Sequence, residues 1–208
     1  DTIERWIRQG KLPVSRKGLT YRFKAAELKK WAIKNNIRIQ LSDGNKLEKR
    51  EDKPVSLAEA VQSGGVHHDI QGTDVSTVLE IAVSKIDTVP ESNKSELLNQ
   101  LLEREAALST GIGNGFAVPH PRQPQTYLEK PMVAVCFLAD PVDYKALDNR
   151  PVSVLFFILC PDLKVHLQLL SAISFCLKDS SFATFLAERP GPSALISKIE
   201  DLQNQNPI

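Results

Sequence analysis

Two apolar runs constrain the fold of this chain more than any other feature: PMVAVCFLAD at residues 131–140 and PVSVLFFILCP at residues 151–161. Both are short, begin at proline and are rich in Val, Phe and Ile. A strand buried on one face alternates apolar with polar residues, so continuous runs of this length predict strands covered on both faces. The flanking sequence shows what covers them. DVSTVLEIAVSKI sets Val75, Val78, Leu79, Ala82, Val83 and Ile86 at i, i+3, i+4, i+7, i+8 and i+11, with Asp74 placed to cap the helix. SNKSELLNQLLEREAAL predicts a second helix, and LKVHLQLLSAISFCLK, SSFATFLAE and PSALISKIEDLQ predict three more after the strands. Helices, buried strands and helices in that order imply an α/β domain around a central sheet, beginning near residue 55.

The 208 residues suit one large domain or two small ones, and charge separates them. Residues 1–50 carry 14 Lys and Arg against 5 Asp and Glu, a balance of +9; residues 51–208 carry 12 against 20, a balance of −8. The net charge of +1 hides this division. So basic a segment is either built for a polyanionic partner or a solvated arm. Its texture has some order. Ile3, Trp6 and Ile7 form a helical stripe that Gly10 can end, KLPVSRKGLTYRF reads as a basic hairpin around SRKG, and Leu28, Trp31 and Ala32 mark a second short helix. These pieces bury little apolar area. SDGNKLEKREDKP, residues 42–54, is polar and turn-forming and reads as a linker. The expected organisation is 1–41, a linker at 42–54, and 55–208.

Cys136, Cys160 and Cys176 lie inside apolar runs, are odd in number and form no C-x-x-C. They read as buried reduced thiols of a cytoplasmic protein. No apolar stretch approaches ~18 residues, so no membrane span or membrane partner is expected. The chain shows no signal peptide and starts at Asp1, which reads as an internal position of a longer protein.

The stretch that carries chemistry is STGIGNGFAVPHPR, residues 109–122. Alternate glycines give freedom to the backbone, then Pro119 and Pro121 remove it on both sides of His120. GIGNG matches neither G-x-G-x-x-G nor G-x-x-x-x-G-K-[ST], and G-x-S-x-G is absent, so a nucleotide loop and a nucleophile elbow are both disfavoured. His67, His68, His120 and His166 make a poor zinc set, because the first two are adjacent and the cysteines lie in core runs. No metal or other cofactor is expected. What remains is His120 as a nucleophile toward phosphorus. Phosphoryl transfer needs alignment and neutralisation of oxygen charge. Arg104, late in its helix, is the candidate cation, or else a solvated charge complementing the helix end. The backbone N–H groups of Thr110, Gly111, Gly113, Asn114 and Gly115 are candidate phosphate donors. His166 shares a face with Leu169, Leu170, Ile173 and Leu177, which by default makes it a core residue. His67 and His68 read as surface residues.

LLEREAALSTGIGNGFAVPH resembles the active-site segment of the type-2 EIIA domains of the bacterial phosphoenolpyruvate:sugar phosphotransferase system (PTS), and within them the nitrogen-regulatory branch. The likeness continues through DNRPVSVLFFILCP and the next helix, covering about residues 53–208. It implies a central mixed sheet flanked by helices and a protein-histidine phosphotransferase component. His120 would be the phosphorylated histidine, His166 the second active-site histidine, which overturns its core reading, and Arg104 the phosphate-facing cation. The chain departs from the pattern in carrying Pro121 where relatives often have glycine, and a single histidine in KVHLQLL. The implied partners are a phosphorylated HPr/NPr-type carrier protein and a regulatory target. A sugar-transport EIIA passing phosphate to an EIIB, and an interaction module without phosphorylation, are the rival readings. DTIERWIRQGKLPVSRKGLTYRFKAAELKKWAIKNN in turn resembles the excisionase or MerR-like winged helix-turn-helix, beginning at its turn without the first helix. That resemblance implies a DNA partner, with Arg5, Arg8, Lys11, Arg16 and Lys17 facing it.

Overall fold

The computed structural model describes Ile7, residues 12–17, 20–22, Lys24, Glu27, Leu28, Lys30, Trp31 and residues 55–205. The expected linker at 42–54 and the candidate DNA-facing Arg5, Arg8 and Lys11 lie outside the described residues. Cα proximity divides the chain into two compact units, Asp1–Lys53 and Pro54–Ile208. In the first, β1 (Ser15–Lys17) pairs antiparallel with β2 (Thr20–Arg22), forming the basic hairpin around SRKG. Arg16 and Lys17 belong to β1.

The second unit is a three-layer sandwich. Its elements run α1 (Leu57–Gly64), β3 (Val66–Ile70), α2 (Val75–Lys85), α3 (Glu91–Ala107), β4 (Gly111–Gly113), β5 (Phe116–Ala117), β6 (Met132–Val142), β7 (Val152–Leu159), α4 (Leu163–Lys178), α5 (Ser180–Ala187) and α6 (Pro192–Gln205). The five strands pair in the order β3-β6-β7-β5-β4. β3 is parallel to β6 and β5 to β7, while β6 runs antiparallel to β7 and β4 to β5, which makes the sheet mixed.

The two apolar runs become β6 and β7, side by side at the centre of the sheet. Their period-2 alternation sorts residues to opposite faces. Val133, Val135, Phe137, Val154, Phe156 and Ile158 meet α1, α4, α5 and α6 on one side. Met132, Ala134, Cys136, Leu155, Phe157 and Leu159 meet α2 and α3 on the other. Burying one such Phe contributes about 2–3 kcal/mol, so this pair of strands anchors the whole unit.

Helix ends follow from side chains. Asp74 accepts from the Thr77 N–H and Asp162 from the Val165 N–H, each at 3.0 Å, which starts α2 and α4 where the sequence predicts. Asp179 closes α4 and caps α5 through the Ser181 and Phe182 N–H groups, so one residue turns the chain through 88°. Gly64 ends α1 against the β6 backbone, where a Cβ would lie 2.4 Å from the Val133 carbonyl carbon. Among the described residues no single helix is long and apolar enough to cross a membrane.

Candidate functional site

His120 follows β5 along the edge of β7. The Pro119 carbonyl accepts from the Ile158 N–H at 3.0 Å, and the Val118 N–H donates to the Thr110 carbonyl at 3.0 Å. The backbone is therefore fixed by strand-like hydrogen bonds immediately before the histidine, with Pro121 limiting it immediately after. The half-buried imidazole Nδ1–H donates to the Val118 carbonyl at 2.8 Å. This leaves the lone pair on Nε2.

Nε2 faces the last turn of α3. The Nε–H of Arg104 donates to it at 3.2 Å, and the Arg104 Nη1 donates to the Leu108 carbonyl at 2.6 Å. One guanidinium thus closes its own helix end and meets the histidine. From α4 the half-buried His166 brings its ring centroid to 4.9 Å from that of His120, at an interplanar angle of 51°. The core-facing stripe of α4 is intact through Leu169 and Ile173, but His166 sits at its margin and lines a cleft.

Electrostatics keep both rings neutral. Burial lowers the pKa of His120, the Val118 hydrogen bond opposes this, Arg104 lowers it further and Glu105 opposes again. Burial also lowers the pKa of His166, with help from His120 and Arg104. An uncharged imidazole with its lone pair on a defined nitrogen, beside a cation, is a competent nucleophile for an electron-poor centre. The cleft beside it holds about 300 Å³ and includes Arg122, Cys160, Asp162, Leu163 and Leu167 in its walls.

Thr110, Gly111, Gly113, Asn114 and Gly115, the candidate phosphate donors, are not among the residues that line this cleft. GIGNGFA forms β4, a turn and β5 rather than a loop. Three of the candidate N–H groups have partners: that of Thr110 both oxygens of Glu105, that of Gly111 the Ser109 Oγ, and that of Asn114 the Asp148 carboxylate at 2.7 Å. Gly113, Asn114 and Gly115 form the turn with φ of 92°, 54° and 84°, a left-handed run that only such residues adopt readily. Gly111 is small for another reason, since a Cβ there would lie 2.9 Å from the Ala146 Cβ.

His67 and His68, expected on the surface, are half-buried in β3. His67 Nε2 donates to the Gly64 carbonyl at 3.1 Å, and His68 stacks on Phe137 at 4.9 Å. Sequence reasoning also passed over Glu105, which clamps Thr110, and Gln125, whose buried amide joins Gln100 of α3 to the Gln123 carbonyl after His120. No spacing rule announces either. Leu163 and Leu167 gave a readable signal, because they lie off the core stripe of α4 and predict a second apolar face.

The family model described as the phosphoenolpyruvate-dependent sugar phosphotransferase system, EIIA 2, matches residues 59–201, and a helix-turn-helix domain matches residues 1–36. The chain is 34% identical over 153 residues to a nitrogen regulatory protein of Pseudomonas aeruginosa, spanning 72% of this chain and 98% of that protein. It is 31% identical over 123 residues to a PTS system fructose-specific EIIA component of Haloferax volcanii, spanning 49% of this chain and 79% of that one. Among solved structures, nitrogen regulatory protein IIA-Ntr of Neisseria meningitidis superposes with a TM-score of 0.61 at 22% identity, over 69% of this chain and 98% of that one. The complex of mannitol enzyme IIA with phosphorylated mannitol enzyme IIB of Escherichia coli gives 0.52 at 16% identity, over 67% and 96%. These two establish a shared fold. With the mixed sheet and the matched sequence from α1 to α6, the chain belongs to the EIIA 2 family of the phosphotransferase system, with a helix-turn-helix domain at its N-terminus.

Proposed function

We propose that residues 55–208 form a phosphohistidine carrier in which His120 Nε2 accepts a phosphoryl group from a phosphorylated HPr/NPr-type carrier protein. One observation carries this reading: Nδ1 is engaged by the Val118 carbonyl, so the lone pair is on Nε2, facing a guanidinium. In the transfer, that lone pair forms a P–N bond while the P–N bond to the carrier's imidazole breaks, its electron pair returning to the carrier nitrogen. His120 keeps its Nδ1 proton, and the bond to Val118 strengthens as the ring gains positive charge. Arg104 and His166 hold the phosphoryl oxygens, which is most of what catalysis of this step requires. Leu163 and Leu167 are 62% and 57% exposed on the cleft wall, a rim suited to a protein donor.

The role is regulatory in this reading, because the identity to nitrogen regulatory proteins is joined to a helix-turn-helix domain and a charge of +9 over residues 1–50. Arg5, Arg8, Lys11, Arg16 and Lys17 then contact DNA, mainly its phosphates. A transport role, passing phosphate to an EIIB, draws on the fructose-specific relative and on the enzyme IIA–IIB complex.

Intact mass after incubation with phosphoenolpyruvate, Enzyme I and the HPr-type carrier tests the first claim. The expected result is an acid-labile gain of about 80 Da, one phosphoryl group, absent from His120→Ala. A wild-type protein without that gain removes the carrier reading. For DNA, affinity that falls steeply with salt is expected, and salt-indifferent binding removes that role.

A further inference from the structure

We propose that Glu105 is the positioning residue of the His120 site: its carboxylate clamps Thr110, Thr110 clamps Val118, and Val118 clamps the imidazole. Both Glu105 oxygens accept the Thr110 N–H at 3.0 Å, and one also accepts the Thr110 hydroxyl. The carbonyl of buried Thr110 accepts the Val118 N–H at 3.0 Å, and the Val118 carbonyl accepts His120 Nδ1–H at 2.8 Å. Each contact fixes the residue that makes the next one. The result is a defined tautomer, because the nitrogen facing Val118 has to carry the proton.

Where Glu105 sits supports this. It lies in the last turn of α3, where the helix dipole disfavours a carboxylate and favours the neighbouring arginine. Its place is explained by the β4 approach it holds. Arg104 and Glu105 are successive residues with divergent reach, so one helix end grips Nε2 directly and Nδ1 through three residues. The charged and titratable groups around His120 are Arg104 and Glu105 from α3 and His166 from α4, with Arg122, Cys160 and Asp162 in the walls of its cleft.

This proposal rests on the carrier reading for its meaning, yet its first test does not need phosphate. Long-range 1H–15N correlations of the His120 ring, recorded on the full chain, show which nitrogen is protonated. The wild type is expected to hold the proton on Nδ1, Glu105→Ala to give a mixture, and Glu105→Gln, which keeps an acceptor oxygen, to retain the wild-type form. Both variants are expected to titrate His120 at lower pH, since both remove a nearby negative charge. Uptake of phosphate from the phosphorylated carrier is expected to lose about 10- to 100-fold in kcat in Glu105→Ala, with KM unchanged, and about 3-fold or less in Glu105→Gln. An unaltered tautomer and rate in Glu105→Ala overturns the proposal. If Glu105→Ala does not fold, Glu105→Asp, one methylene short of Thr110, is expected to give the mixture in its place, and an unaltered tautomer and rate in that variant overturns the proposal. A wild type that takes no phosphate while Glu105→Ala changes the tautomer removes the carrier reading and upholds the positioning role.

Discussion

The second unit contains two pairs of histidines, and they differ instructively. His67 and His68 are half-buried in β3, one ring donating to a main-chain carbonyl and the other lying flat on Phe137 at an interplanar angle of 10°. His120 and His166 are also half-buried and also in ring contact. Burial and contact therefore do not separate structure from chemistry. The difference is what faces the ring. His68 covers an apolar surface, whereas His120 presents a lone pair to a guanidinium at the wall of a cleft. The same contrast holds for two arginines. Arg189 donates to the Leu138 carbonyl, pairs with Asp69 and lies 5.9 Å over Phe137, so it is tied into the fold. Arg104 has one hydrogen bond of that kind and turns the other to His120.

The largest expected effect breaks the comparison if it fails: His120→Ala loses all phosphate uptake, whereas His67→Ala and His68→Ala keep it, as intact mass shows. Next, Arg104→Gln is expected to slow uptake about 100-fold, since a preorganised cation at developing charge is worth that much. Arg189→Gln leaves the rate alone and costs about 1–2 kcal/mol in urea unfolding, chiefly from the unpaired Leu138 carbonyl. The third effect is in pH. With His120 and His166 both lowered, uptake is expected to stay flat as pH falls through about 6.5, the ordinary histidine value, and to drop only below it. The unfolded chain binds those protons first, so stability falls as pH drops through the same value, and that slope is smaller in His120→Ala. The smallest is His68→Ala, expected to cost about 1 kcal/mol from lost stacking on Phe137.

Much of the fold is legible because its signals are local. The stripe of α2, the Asp74 cap and the full span of α4 follow from residues within a few turns of one another. α1 and β3 escape notice because LAEAVQSG and VHHDI are short, and the histidines of β3 look polar until Phe137 is placed beside them. β4 and β5 escape because glycine has little strand preference, and the reason for Gly111 lies far along the chain in Ala146, whose Cβ would be 2.9 Å from a Cβ at that position. Of the site, His120 stands out through its prolines. That Arg104 and His166, from two helices on opposite faces of the sheet, meet there is carried by family resemblance and not by any spacing. Glu105 lies within the LLEREAAL that carries the family resemblance, but its contact with Thr110 is not legible there, because a helical residue reaching five positions ahead follows no periodic rule.

Cys160 shares the cleft wall with the rings of His120 and His166, and burial pushes its thiol up to about 12. At neutral pH only about one such sulfur in 10⁵ is ionised, and only the ionised form attacks phosphorus. In the carrier role proposed for His120, a phosphoryl group on the ring would have a sulfur for a neighbour without losing itself to it. Chemical silence in that one side chain is what such a role asks of it, since the label would then wait for an outside protein.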